Sequence, residues 1–255
     1  MCCFTAPVEH IGNTSIFARL SGTGTQFLVY QMNYRAAQPL AMILPLPVAL
    51  PSHENAVRFI DLKGYPEFFH DMDYGFYVPP PVGTADDPMA AASPAAGALE
   101  VETVGDYVAS FVPTLNDFGR LDPRFVLPRH IWDQIPIYHD YGFAVFQLKA
   151  SVDKDAVPHP IAFEFPTRHR EKVFFPTVHI HDLKVHPTEN FDHSLYMQDA
   201  GPATEKTRKT ASEFMKIPAT RGIVDPDTLC HRVMMNGDLP NQDVCFNHAA
   251  DWRIA

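Results

Sequence analysis

The chain has no Cys-x-x-Cys pair, and its four cysteines (Cys2, Cys3, Cys230 and Cys245) lie toward its two ends. That spacing excludes a zinc ribbon, and four thiols in a chain this long do not make a disulfide-stapled fold. No run reaches the ~20 apolar residues that a membrane span needs. The longest apolar stretch, 40–50, is interrupted by Pro45 and Pro47. The start, Met-Cys-Cys-Phe-Thr-Ala-Pro, has no basic segment followed by an apolar one, so no secretory signal is expected. Positive charge is scarce too: 20 Lys and Arg stand against 30 Asp and Glu, and Arg168, Arg170 and Lys172 form the densest basic group. Nucleic acid and anionic membrane surfaces want clustered cations, so neither is expected as a partner. These exclusions make the cytoplasm the expected location, with the thiols reduced. A phosphate loop, a dinucleotide glycine fingerprint, Gly-x-Ser-x-Gly and His-Glu-x-x-His are also missing.

What is present suits one domain over 1–255, long enough to bury a real core without a metal or disulfide. Proline punctuates short segments. Ser-Gly-Thr-Gly between 15–20 and 26–33 reads as a hairpin turn. In the second run Leu28, Tyr30 and Met32 share one face and Phe27, Val29 and Gln31 the other, the mark of an interior strand. Further strands are expected at 40–44, 99–103, 106–112, 141–149, 161–165, 173–182, 194–198 and 229–235. Short helices are expected at 52–62 and 66–72, helical turns within 115–139, and the longest helix at 203–216, which Pro218 would stop. The Pro/Ala-rich segment 79–98 reads as a mobile surface loop. Strands outnumber helices without a βαβ rhythm. The fold class is therefore α+β, with a mostly antiparallel β-sheet or sandwich and a few short helices.

The feature that carries most chemistry is His179-Ile180-His181, in Phe-Phe-Pro-Thr-Val-His-Ile-His-Asp. On a strand, residues two apart share a face, so the two imidazoles would project together while Phe174, Val178 and Ile180 pack on the core. Imidazole suits zinc, copper or iron, and a catalytic centre wants a third protein ligand. His193 is the first candidate, because the turn around 185–190 could return the chain beside this strand; His169 is the second. Asp192 or Glu164 could add a carboxylate. His53, His70, His130 and His248 read as surface or cap residues, and His-x-His also occurs by chance in a chain with 13 histidines.

Cys2 offers a different chemistry. If Met1 is removed, its free amine stands beside its own thiol, the arrangement of N-terminal nucleophile hydrolases. The Met-Cys start with Phe17-Ala18-Arg19 resembles the choloylglycine hydrolases over some twenty residues, but Leu20-Ser21-Gly22 replaces the Asn and Asp that follow the Arg there. The His-x-His pattern is not that of the cupins, whose Glu follows within three or four residues; here the next is Glu189. Nor is it that of amidohydrolases, where the motif opens a long α/β barrel.

Met-Cys-Cys-Phe, Leu-Ala-Met-Ile-Leu-Pro-Leu-Pro (40–47), Asp-Tyr-Gly-Phe-Ala-Val-Phe (140–146) and the His179 segment together resemble a family of bacterial proteins without an assigned function. That resemblance implies one domain and supplies no activity. Three readings stand. The first is a transition-metal-binding protein acting as hydrolase or oxidase on a small molecule, with His179, His181, His193 and His169 as ligands. The second is an N-terminal cysteine amide hydrolase. The third is a non-catalytic binding or scaffold protein.

Overall fold

The computed structural model describes residues 3–77, 102–105, 107–198 and 205–247. The segment 79–98, Cys2 and His248 lie outside the described residues. In chain order the elements are β1 (Cys3–Phe4), β2 (His10–Leu20), β3 (Thr25–Ala36), β4 (Leu40–Leu46), β5 (Arg58–Asp61), α1 (Phe68–Tyr74), β6 (Glu102–Val104), β7 (Tyr107–Val112), α2 (Arg129–Trp132), β8 (Gly142–Leu148), β9 (Ser151–Ala156), β10 (Ile161–Pro166), β11 (Lys172–Phe175), β12 (Thr188–Met197), β13 (His231–Pro240) and β14 (Val244–Asn247). Four 3₁₀ or α turns fill 115–138, as the prolines there predict.

The strands form a five-stranded sheet, β1-β4-β8-β7-β6, a seven-stranded sheet, β13-β12-β2-β3-β10-β5 with β9 on β3, and the pair β11-β14. All named ladders are antiparallel except β12 with β2, which run parallel from His193↔Thr14 to Met197↔Ala18. The fold is α+β dominated by antiparallel sheet, as the sequence predicts. Among the described residues no helix is long and apolar enough to cross a membrane.

The centre of the seven-stranded sheet is apolar on both faces, and the alternation in β3 shows how. Leu28, Tyr30 and Met32 enter the larger core, shared with Leu40, Met42 and Leu44 of β4 and Phe146 of β8. Phe27 and Val29 enter a second core, capped by Phe68, Phe69 and Met72 of α1 and by Ile223 and Val224. Each fully buried aliphatic side chain contributes about 1.5–3 kcal/mol, so β3 anchors two layers at once.

Three expected elements differ. The segment 52–62 holds no helix; it contains β5, because Phe59 and Ile60 fall into opposite cores and pair with Phe163 and Ala162 of β10. Tertiary pairing overrides a weak capping signal there. Within 205–216 the only helical turn is Ala211–Glu213. Its backbone pairs instead with the chain before β13: Thr207 N donates to Cys230 O (2.9 Å) and Ala211 N to Thr228 O (3.1 Å). The expected strand at 173–182 stops at Phe175. Beyond it the chain stays extended, but its hydrogen bonds go largely to side chains.

Candidate functional site

Two neighbours hold 176–181 straight. On one side, Asp243 accepts from Thr177 N (2.8 Å) and Val178 N (3.2 Å), and Asn241 Oδ1 accepts from His179 N (2.6 Å). Asn241 Nδ2 returns a bond to His179 O (2.9 Å). On the other side, Phe4 N donates to Ile180 O (3.0 Å) and Val8 N to His181 O (3.3 Å). Side-chain amide and carboxylate groups thus satisfy the backbone on the side away from β1, whose Cys3 bridges Ile180. Asp243 also accepts from the Tyr138 hydroxyl (2.7 Å); burial pushes its carboxyl up to about 6.

Within this segment the two histidines do lie together, their ring centroids 4.5 Å apart. A turn containing Leu183, at φ +64°, then reverses the chain into β12. The sequence places β12 beside the histidine segment; the structure pairs it with β13 and β2 instead. Its inward face still delivers Phe191 and His193 to the same place: His179 lies 4.5 Å from Phe191 and 5.0 Å from His193, between ring centroids. His179 Nε2 and His193 Nε2 are 3.2 Å apart, one donating and the other accepting. His193 Nδ1 sits 3.5 Å from Asp192 Oδ1, and Asp192 Oδ2 accepts from Asn13 N (2.7 Å) at the bulge in β2.

The cluster is buried on the His179 and His193 side and half-buried at His181 and Glu189. His179 is 2 % exposed and His193 1 %. Burial holds all three imidazoles neutral: His181 is pushed down to about 4, His193 to about 3 despite Asp192, and His179 lower still, with the neighbouring imidazoles adding to the effect. Burial raises Glu189. His179 Nδ1 and His181 Nε2 are buried without a hydrogen-bond partner among the described residues. His179, His181 and Glu189 offer ligand atoms that all lie within 4.8 Å of one another, so these three could hold a metal ion. Glu189 was passed over in the sequence for standing eight residues beyond His181; the turn at 182–187 is what folds it back.

Other expected site residues go elsewhere. His169 stacks on Phe174 (6.4 Å), and its backbone N–H bonds Thr167. Glu164 pairs with Arg58 and Thr25. His53, His70 and His130 are exposed, as read. Cys3 is fully buried in the larger core, and burial raises the thiols of Cys230 to about 12 and Cys245 to about 11, so neither is a ready nucleophile.

A second surface went unread in the sequence. At the end of α1 and just beyond it, Tyr74 and Tyr77 stand 64 % and 58 % exposed, with near-parallel rings (18°) whose centroids are 6.3 Å apart. Gly75 makes the turn between them possible: a Cβ there would lie 2.7 Å from the Phe214 ring. Phe76 turns inward onto Tyr196 (5.8 Å), and the Arg232 guanidinium lies 4.6 Å over its ring. Arg232 is held by Glu205 (2.6 Å) and Asp73 (2.5 Å). With His70 these groups line a recess of about 560 Å³.

No family model matches the chain, and no curated protein matches it. Solved structures of baculovirus P35 do align with it. P35 itself aligns at a TM-score of 0.49 and 14 % identity, over 96 % of this chain and 99 % of that one. A mutated P35 after caspase cleavage aligns at 0.46 and 14 %, over 92 % and 99 %. P35 in its complex with caspase-8 aligns at 0.44 and 12 %, over 92 % and 96 %. The expectation of a transition-metal protein acting as hydrolase or oxidase is corrected by the surroundings of the histidines. The His face, expected to open on a cleft, is instead largely packed inside the protein: His179 and His193 are buried and His181 and Glu189 half-buried, and the grouping amounts to a set of side chains that could hold an ion.

Proposed function

We propose that this chain is a non-catalytic protein-binding molecule, acting as one domain in the cytoplasm, which docks a partner on the surface formed by Tyr74, Phe76 and Tyr77. The observation that carries this reading is the pair of exposed, near-parallel tyrosines over an Arg-braced Phe. Tyr and Arg are the residues that interfaces concentrate, because they offer large contact area with few rotors. Gly75 and the Phe214 contact hold the pair in place before any partner arrives, which lowers the ordering cost of binding. The thiols of Cys230 and Cys245, unpaired by a disulfide among the described residues, agree with a reducing compartment.

The test is capture by the immobilised full chain, beside a Tyr74→Ala/Tyr77→Ala variant and a Val152→Ser control at a distant exposed apolar residue. Caspase-8 is included among purified probes, with extract as the unbiased source. The expected result is a partner whose recovery falls about tenfold or more with the tyrosine variant and not with the control. Recovery indifferent to both tyrosines overturns the reading.

A further inference from the structure

We infer that His179, His181 and Glu189 hold a structural zinc ion, which staples the histidine segment to the start of β12 across the turn between them. The site is independent of the tyrosine surface. Leftover donors point to it first. His179 Nε2 is already engaged with His193 Nε2 (3.2 Å). Its Nδ1, on a side chain 2 % exposed, has no hydrogen-bond partner among the described residues, and neither has the buried Nε2 of His181. Folded proteins rarely leave buried polar atoms unsatisfied, because each has lost its water for nothing in return. One cation would satisfy two such atoms on rings whose centroids are 4.5 Å apart.

Glu189 completes the set from the far side of the turn, with one ligand atom from each of the three residues within 4.8 Å of the others. A tetrahedral ion bonded at about 2.0–2.2 Å draws its ligands to roughly 3.4 Å from one another. Side-chain rotation can supply that closure. Two imidazoles and a carboxylate suit zinc, whereas magnesium and calcium take oxygen ligands. Iron on the same donors keeps further open positions. Here Phe191 lies 4.5 Å from His179 and Phe4 6.0 Å from His181, between ring centroids, which favours the smaller four-coordinate shell. Zinc on His179 Nδ1 leaves that ring's proton on Nε2, where it donates to His193 Nε2. His193 Nδ1 in turn faces Asp192 Oδ1 at 3.5 Å, an outer partner of the kind that orients metal-bound histidines. The turn so clamped holds Leu183 at φ +64° and exposes Asp182, Lys184 and Pro187.

The experiment uses the full chain without an affinity tag, purified without chelator. Elemental mass spectrometry should find about one zinc per chain. Stripping with a chelator should lower the thermal midpoint. Zinc a hundredfold above its Kd should restore it, a shift of about 5–10 °C, and magnesium or calcium should not. Glu189→Gln keeps the side chain's size and removes its charge; it should weaken zinc about tenfold or more in competition with a chromophoric chelator. His179→Ala/His181→Ala should abolish binding, while His169→Gln and His186→Gln leave it unchanged. Circular dichroism of the stripped variants checks that the fold is kept. Absence of both co-purified zinc and a zinc-dependent rise in midpoint overturns the inference. So does zinc held equally by Glu189→Gln, or zinc lost in His186→Gln, which would move the ion to the exposed Asp182–His186 pair (3.1 Å).

Discussion

At the scale of single residues, the buried imidazoles tie stability to pH. Folding keeps His179 and His193 neutral, while in the unfolded chain each takes a proton near 6.5. Their folded pKa values are depressed, so stability is intact above 6.5 and is lost as the pH falls through 6.5 toward about 3, the value for His193. At pH 5 the loss is about 2 kcal/mol for each of the two. Asp243 acts with the opposite sign: its carboxyl, raised to about 6, binds a proton in the fold before it does in the unfolded chain. Its contribution therefore weakens as the pH rises from about 4 to 6, and it offsets part of the histidine effect. Urea midpoints at pH 7.5 and 5.0 should fall clearly for the native chain and much less for His179→Gln/His193→Gln. Parallel falls in both would show that these rings do not set the slope. The residue-level part of the site was legible as a cluster and not as its surroundings. His-x-His foretold two rings on one side, and His193 does pack beside them, but the side chain that joins His179 and His181 in a set that could hold an ion is Glu189. What a linear pattern does not carry is the second layer, which buries those rings and supplies Asn241 and Asp243 from about sixty residues away.

At the scale of elements, strands with apolar residues on both faces were readable because each side needs its own core. The errors fall where local and tertiary preferences part. Residues 52–62 carry a Ser cap and a closing Gly, yet Phe59 packs edge-on to Phe146 (5.5 Å), a long-range contact that no helix there would make. Residues 205–216 have helical composition but spend their N–H groups on the chain before β13. The same logic sharpens the turn after α1. Gly75→Ala drives a methyl into the Phe214 ring, so it should cost about 1–3 kcal/mol and reposition Tyr74 and Tyr77. Thermal unfolding reads the first effect and loss of partner capture the second; an unchanged midpoint would mean that Phe214 yields freely.

For the whole molecule, the seven-stranded sheet is assembled from distant parts of the chain. β2 finds β3 at once through a short turn, but its other edge waits for β12. A chain ended at residue 185 keeps β3, β4, β8 and β10 and leaves the β2 edge bare. It should be cut by a nonspecific protease far faster than the full chain, first within β2; equal resistance would show that the C-terminal strands are an addition to a finished core.

That parallel partnership carries a consequence for synthesis. At roughly 5–20 residues per second, a ribosome needs roughly 10–35 s to travel from the end of β2 to the end of β12. Throughout that interval a strand meant for the interior emerges with one edge open, able to zip onto a nascent neighbour on the same message. A chaperone that shields this edge should raise the yield of native chains, and slow codons between β2 and β12 should lower it.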